Sequence, residues 1–182
     1  MEENALRERV LTSEQVFDGK LIRVEHRRVA LPDGREALRE IVVHIGASAI
    51  VPVDAEGRVT LVTQYRVAME RLTVEIPAGK LDFRGEDPLA CAKRELEEET
   101  GLRAARWQAL TTLDTTPGFC TERIGLFLAT ELQQGDTHPD ADEFLRLQRI
   151  PLCEAVQRVM RGEIRDAKTI AGLLMAARVL GV

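Results

Sequence analysis

The sequence predicts an α+β protein, and three observations carry that prediction. Short β-branched stretches bounded by Gly, Pro and Asp turns fill most of the first half of the chain. Helical periodicity appears once after those stretches and twice more near the end. Strands and helices do not alternate regularly, as a doubly wound parallel sheet would require. The length, 182 residues, suits one domain with a proper core, or one domain with a small extension.

The elements follow in order. Val16 to Leu31 reads as short strands with a turn at "DGK" (Asp18–Lys20), and "LPDGR" (Leu31–Arg35) is a strong turn signal. "EIVVHIGASAIVPV", Glu40 to Val53, predicts a strand interrupted at Gly46. "DAEGR" then turns the chain, and "VTLVTQYR" (Val59–Arg66) is expected to run back as its hairpin partner. "VEIPAGKL" (Val74–Leu81) is a short strand entering a Pro/Gly loop. Pro88 stands at a first helical position, and the helix should run to about Thr100, stopped by Gly101. Strands follow near Trp107–Asp114 and Ile124–Glu131, then a polar, acidic loop over Gln133–Glu143. Leu152, Val156, Val159 and Met160 share one stripe of an amphipathic helix, and a second helix is expected near Lys168–Leu180.

Composition excludes several classes. The formal net charge is −5, so no general attraction to nucleic acid or to an anionic membrane is expected. A polyanionic substrate would need local arginines or metal ions to hold it. Three widely spaced cysteines without a CxxC pattern argue for a reducing compartment, and against a disulfide framework or a zinc site. "MEENALRERV" lacks an apolar leader core and no apolar run reaches 18 residues, so a cytoplasmic protein is expected.

The segment "AKRELEEETG", from Ala92, packs four carboxylates into ten residues. A solvated helix face is the bland account. Against it, like charges three or four positions apart repel, and acids near a helix C-terminus oppose the macrodipole. Glu95, Glu98 and Glu99 would face one direction, with Glu95 and Glu99 one turn apart. Divalent cations along that ridge would make sense of the arrangement. All candidate ligands are oxygens, which suits hard Mg²⁺ or Mn²⁺ rather than zinc. The Gly-rich "PAGKL" just upstream lets backbone approach a ligand closely.

The stretch "GKLDFRGEDPLACAKRELEEETGL", Gly79 to Leu102, resembles the Nudix box of nucleoside-diphosphate-X hydrolases. Glu86, Arg94, Glu95, Leu96, Glu98, Glu99, Gly101 and Leu102 fall in register with it, with one extra residue between Gly79 and Glu86. "LPDGREALREIVVHIGASAIVPV", "VTLVTQYR", "EIPAGKL", "TPGFCTE" and "GEIRDAKT" together resemble the ADP-ribose pyrophosphatase branch of that family. The resemblance implies an α/β/α sandwich with a mixed sheet over residues 45–182. It also implies a small N-terminal antiparallel β region over 1–44 that serves dimerisation and substrate contacts in a homodimer. The implied reaction is Mg²⁺-dependent hydrolysis of the diphosphate of ADP-ribose or a related ADP-sugar to AMP and a sugar phosphate. Alternatives are another nucleoside diphosphate sugar such as GDP-mannose, or a non-catalytic ADP-ribose-sensing domain; an intact box and a short C-terminal remainder speak against the second.

Residue by residue, the resemblance makes Glu95, Glu98, Glu99 and the Ala78 carbonyl the metal ligands, with Arg94 orienting the glutamates. Arg39 and Arg66 match arginines that hold the diphosphate or terminal ribose phosphate, and Glu40 and Glu122 match polar substrate contacts. "DADEFLRL" (Asp140–Leu147) resembles a mobile acidic loop; Glu143 is the expected acid for the attacking water, with Asp142 and Asp140 behind it, or else a box glutamate. Two departures bear on substrate: "HIGA" stands where relatives usually have "HPGA", and Lys20 stands where some carry an adenine-stacking aromatic.

Overall fold

The computed structural model describes residues 3–135 and 144–182, which form two compact units. One unit runs to Ile45 and includes Asp114–Arg123; the other comprises Gly46–Leu113 and Ile124–Val182.

In the first unit, β1 (Arg9–Asp18), β2 (Arg23–Ala30) and β3 (Glu36–Val43) form an antiparallel meander. "DGK" and "LPDGR" make the two turns, the second with Gly34 at φ 86°, where a side chain would be strained. Segment 114–123 is tied to the end of β3: the Val42 N–H donates to the Phe119 carbonyl at 2.7 Å and the Thr121 N–H to the Val42 carbonyl at 2.9 Å. β1 is exposed along nearly its whole length, and of the three strands only Val29 and Val43 are buried hydrophobics.

The second unit holds a mixed sheet in the order β7-β4-β9-β8, built from β4 (Ala47–Pro52), β7 (Ala78–Lys80), β8 (Leu102–Asp114) and β9 (Arg123–Gln134). β4 pairs antiparallel with β7 and parallel with β9. A separate antiparallel sheet has the order β10-β5-β6, from β5 (Arg58–Arg66), β6 (Arg71–Glu75) and β10 (Arg146–Pro151). The alternation of β4 assigns its two faces. Ala49, Val51 and Val53 join Leu126 and Leu128 of β9 in a core with Val59, Leu61, Ile76 and residues of α2 (Leu152–Met160) and α3 (Ala167–Leu180). Ile50, on the opposite face, packs with Phe127 and Ala129 against Ala92 and Leu96 of α1 (Pro88–Thr100). A Cβ at Gly172 would fall 2.9 Å from Val51, so glycine lets α3 lie close on the sheet. The expected α+β class with a helix-flanked mixed sheet is the one observed.

Two expectations about single elements are corrected. Val59–Arg66 does not form a hairpin with the strand before it; one isolated bridge joins Val53 and Val59, and β4 and β5 belong to different sheets. Both strands are buried on both sides, so they meet through side chains in the core instead of pairing edge to edge. The long strand from Glu40 breaks as foreseen at Gly46, whose φ of 108° ends β3's path and starts β4. β10 was expected as loop in its first residues, yet it pairs with β5 from Arg146 onward.

Candidate active site

Local chemistry sets the helix that carries the acids. Asp87 caps α1, its carboxylate accepting from the Leu89 N–H at 3.2 Å, and Pro88 takes the first turn. Gly101 ends the helix at φ 65° and donates to the Glu97 carbonyl at 2.8 Å. The apolar stripe of Ala92 and Leu96 faces the sheet, and this carries Glu95 and Glu99 inward on the same turn of the helix. Their residual exposures are 8% and 5%, so they are not a solvated face.

Buried carboxylates need partners. Arg94 Nη1 donates to Glu95 at 2.6 Å and to Glu98 at 3.3 Å, while Nη2 reaches the Lys80 carbonyl at 3.3 Å. Asp82 and Glu86 lie 3.4 and 3.6 Å from the same guanidinium. Burial works against its charge, but Glu95 outweighs it and holds Arg94 firmly protonated. The Ala78 N–H donates to Glu99 at 3.0 Å. A Cβ on Gly79 would overlap the Glu95 carboxyl, so only glycine lets β7 pass beneath it. The extra residue of the preceding loop is absorbed in a turn. There Gly85 has φ 92°, the Glu86 N–H donates to the Phe83 carbonyl at 3.2 Å, and Glu86 accepts from the Asp82 N–H at 2.7 Å.

The donors gathered here are carboxylate and carbonyl oxygens, which fit a hard divalent cation. Among the described residues, no three His, Cys, Asp or Glu side chains already converge as a ligand set; Arg94 and the Ala78 amide hold the glutamates instead. Cys91, buried beside the Gly79 and Lys80 carbonyls, has its thiol pushed up to about 11 by burial, so it stays protonated and supplies no ligand at neutral pH.

The other expected residues divide between the two units. Arg66 is in the second unit with the box; Arg39, Glu40 and Glu122 are in the first. Arg39 makes a two-pronged pair with Glu8, at 3.1 and 2.5 Å. Glu40 is exposed, 3.6 Å from His26, and Glu122 lies 3.5 Å from His44. Glu143, Asp142 and Asp140 lie outside the described residues.

Three residues given no role from the sequence, Glu75, Lys168 and Thr73, complete the Arg66 surroundings. Arg66 Nε and Nη2 donate to the two oxygens of Glu75 at 2.8 and 2.7 Å. Lys168 Nζ donates to Glu75 at 2.5 Å, and Thr73 Oγ1 donates to it at 2.6 Å. Burial pushes the Glu75 carboxyl up, but Arg66 and Lys168 more than offset this and hold it near about 2. The available signals were an acid closing a buried strand and the segment "GEIRDAKT", neither of which names a partner.

Comparison with known proteins now places the chain. The NUDIX domain profile matches residues 43–173, and the protein belongs to the Nudix family, whose hydrolases work with divalent metal ions. It is 43% identical over 167 residues to an ADP-ribose pyrophosphatase of Bacillus subtilis (strain 168), covering 91% of this chain and 90% of that one. It is 41% identical to a methanol dehydrogenase activator of Bacillus methanolicus, covering 90% and 89%. A crystal structure of an ADP compounds hydrolase superposes with a TM-score of 0.84 at 23% identity, over 96% of this chain and 95% of the other, and establishes the shared fold. Among the described residues, no helix is long and apolar enough to cross a membrane.

Proposed function

We propose that this Nudix hydrolase cleaves the diphosphate bond of ADP-ribose or a related ADP-sugar, with Mg²⁺, to AMP and a sugar phosphate. One observation carries the reading: the buried Glu95–Glu99 pair sits intact in a chain that matches an ADP-ribose pyrophosphatase almost end to end.

Glu95, Glu98, Glu99 and the Ala78 carbonyl would hold Mg²⁺ or its substitute Mn²⁺. The bound cation would neutralise the diphosphate and make water more acidic. Arg94 holds Glu95 and Glu98 in place through charge-assisted hydrogen bonds, which a neutral side chain would make more weakly. Arg66 and Arg39 grip phosphate oxygens, as guanidinium forks do better than ammonium groups; Glu40 and Glu122 contact the sugar or base. The attacking water forms a new P–O bond as the bridging P–O bond breaks. Its proton passes to an acidic side chain, with Glu143 as the assigned acceptor. The molecule works as a cytoplasmic homodimer, with residues 1–44 supplying the dimer contact and residues 45–182 the hydrolase domain.

A panel of ADP-ribose, ADP-glucose, GDP-mannose and NADH, assayed by coupled phosphate release with Mg²⁺, tests the reading. Preference for ADP-ribose, lost in Glu99→Gln, is the expected result. Turnover mainly of GDP-mannose would move the substrate, and binding without turnover of any compound would sink the enzymatic reading.

A further inference from the structure

Burying charge is costly, and a buried ion pair often stabilises no better than an apolar pair of the same size. Glu75 is nonetheless buried with two cations. Its side chain is 3% exposed and that of Lys168 11%, whereas 43% of the Arg66 side chain remains exposed. The fork therefore has one edge locked on Glu75 and its other edge open to a ligand. A cavity of about 380 Å³ lies there, lined by Arg66, Arg71, Thr73, Glu75, Arg165 and Lys168.

The start of α3 organises this assembly twice over. Asp166 caps the helix by accepting from the Thr169 N–H at 2.9 Å, and it also accepts from Lys168 Nζ at 3.0 Å. The neighbouring Thr169 hydroxyl donates to Asp166 at 2.6 Å and accepts from the Ile76 N–H at 2.9 Å. One helical turn thus holds both the Glu75 carboxylate and the backbone next to it. Two residues further on, Ala78 donates to Glu99.

We infer that Lys168 is a positioning residue for the hydrolysis: through Glu75 it fixes the Arg66 fork at the angle that receives a substrate phosphate, while Asp166 and Thr169 set the same strand against the metal-binding glutamates. This rests on the proposed reading of Arg66 as a phosphate ligand. Without the ammonium, Glu75 keeps Arg66 and the Thr73 hydroxyl but loses its second cation, and the Arg66–Glu75 pair is held less firmly.

The test is a double-mutant cycle on the full chain with ADP-ribose, using Arg66→Ala, Lys168→Met and both together, each checked by thermal melting. Lys168→Met should lower kcat/KM by about 10- to 100-fold, the usual scale for an outer partner of a working group, and Arg66→Ala by at least as much. The loss should appear mostly in KM. The double variant should be no worse than Arg66→Ala alone, and Lys168→Arg, which keeps the charge and its donors, should recover most of the loss. A merely structural lysine would lower Tm but give losses that multiply with those of Arg66→Ala, or leave the kinetics unchanged; either result overturns the inference. A flat Arg66→Ala result overturns it too, and identifies the phosphate-ligand reading of Arg66 as the part that failed. If Lys168→Met does not fold, the same cycle is run with Lys168→Gln and with Lys168→Arg.

Discussion

Two ionic assemblies of the second unit have opposite imbalances. Around Arg94, one guanidinium stands among four carboxylates, those of Asp82, Glu86, Glu95 and Glu98. Around Glu75, Arg66 and Lys168 share one buried carboxylate, Asp166 also pairs with Lys168, and Arg71 and Arg165 line the same cavity, so four cations face two acids. The first leaves negative charge over and suits a cation. The second leaves positive charge over and suits an anion. A metal-dependent hydrolase of diphosphates needs both, so the contrast divides the labour more clearly than either cluster alone.

The largest effect should come from breaking the negative half. Losing an outer partner of a metal ligand costs about 10- to 100-fold, so Glu99→Gln, which alters a proposed ligand itself, should lower turnover by more than about 100-fold. Its melting temperature should change little, and removing metal with a chelator should reproduce the loss in the unaltered protein. Activity near the starting level in Glu99→Gln would remove Glu99 from the site.

Gly79→Ala attacks the same half sterically, because the new methyl would overlap the Glu95 carboxyl. Overpacking of this kind costs about 1–3 kcal/mol, and turnover should fall with it. A stable, fully active Gly79→Ala protein would show that β7 does not need to pass so close.

The positive half can be sharpened by pH. The Glu75 carboxyl is held from the ordinary 4.5 down to about 2, so its charge stabilises the fold above 4.5. That contribution is lost as pH falls from about 4.5 towards 2. The melting difference between the unaltered protein and Glu75→Gln should therefore be widest near neutral pH and close across that window. A difference independent of pH would mean the carboxylate's charge is not what matters.

The smallest effect separates two helix caps. Asp87→Ala removes one cap bond from α1 and should cost about 1 kcal/mol without changing KM. Asp166→Ala removes the α3 cap together with the Lys168 and Thr169 bonds and should cost more. Equal costs, read from paired denaturant titrations, would make the α3 turn an ordinary helix start.

Much of the negative half was legible in residue order. Pro88, the i,i+4 acids and Gly101 define α1 by local rules alone, because a helix writes neighbours three and four positions apart. That Glu95 and Glu99 are buried was less legible: it depends on Gly79 passing beneath them, which is contact between two elements. The positive half was almost invisible. Arg66 could be singled out from its motif, but Glu75 and Lys168 are 93 residues apart, and no local spacing joins them. The β5 hairpin failed for a related reason, since a strand buried on both faces shows the same apolar run whether its neighbour pairs with it or packs across from it.

By itself, then, residue order determined the α+β class, the helix that carries the acids and the family of the chain, because periodicity, capping and motif spacing are properties of neighbours in sequence. Tertiary structure alone decided that β4 and β5 face each other across a core, that α3 reaches back to hold Glu75, and that Arg66 presents one edge of its fork. Those are long-range contacts between buried surfaces, selected by shape and charge once the elements meet.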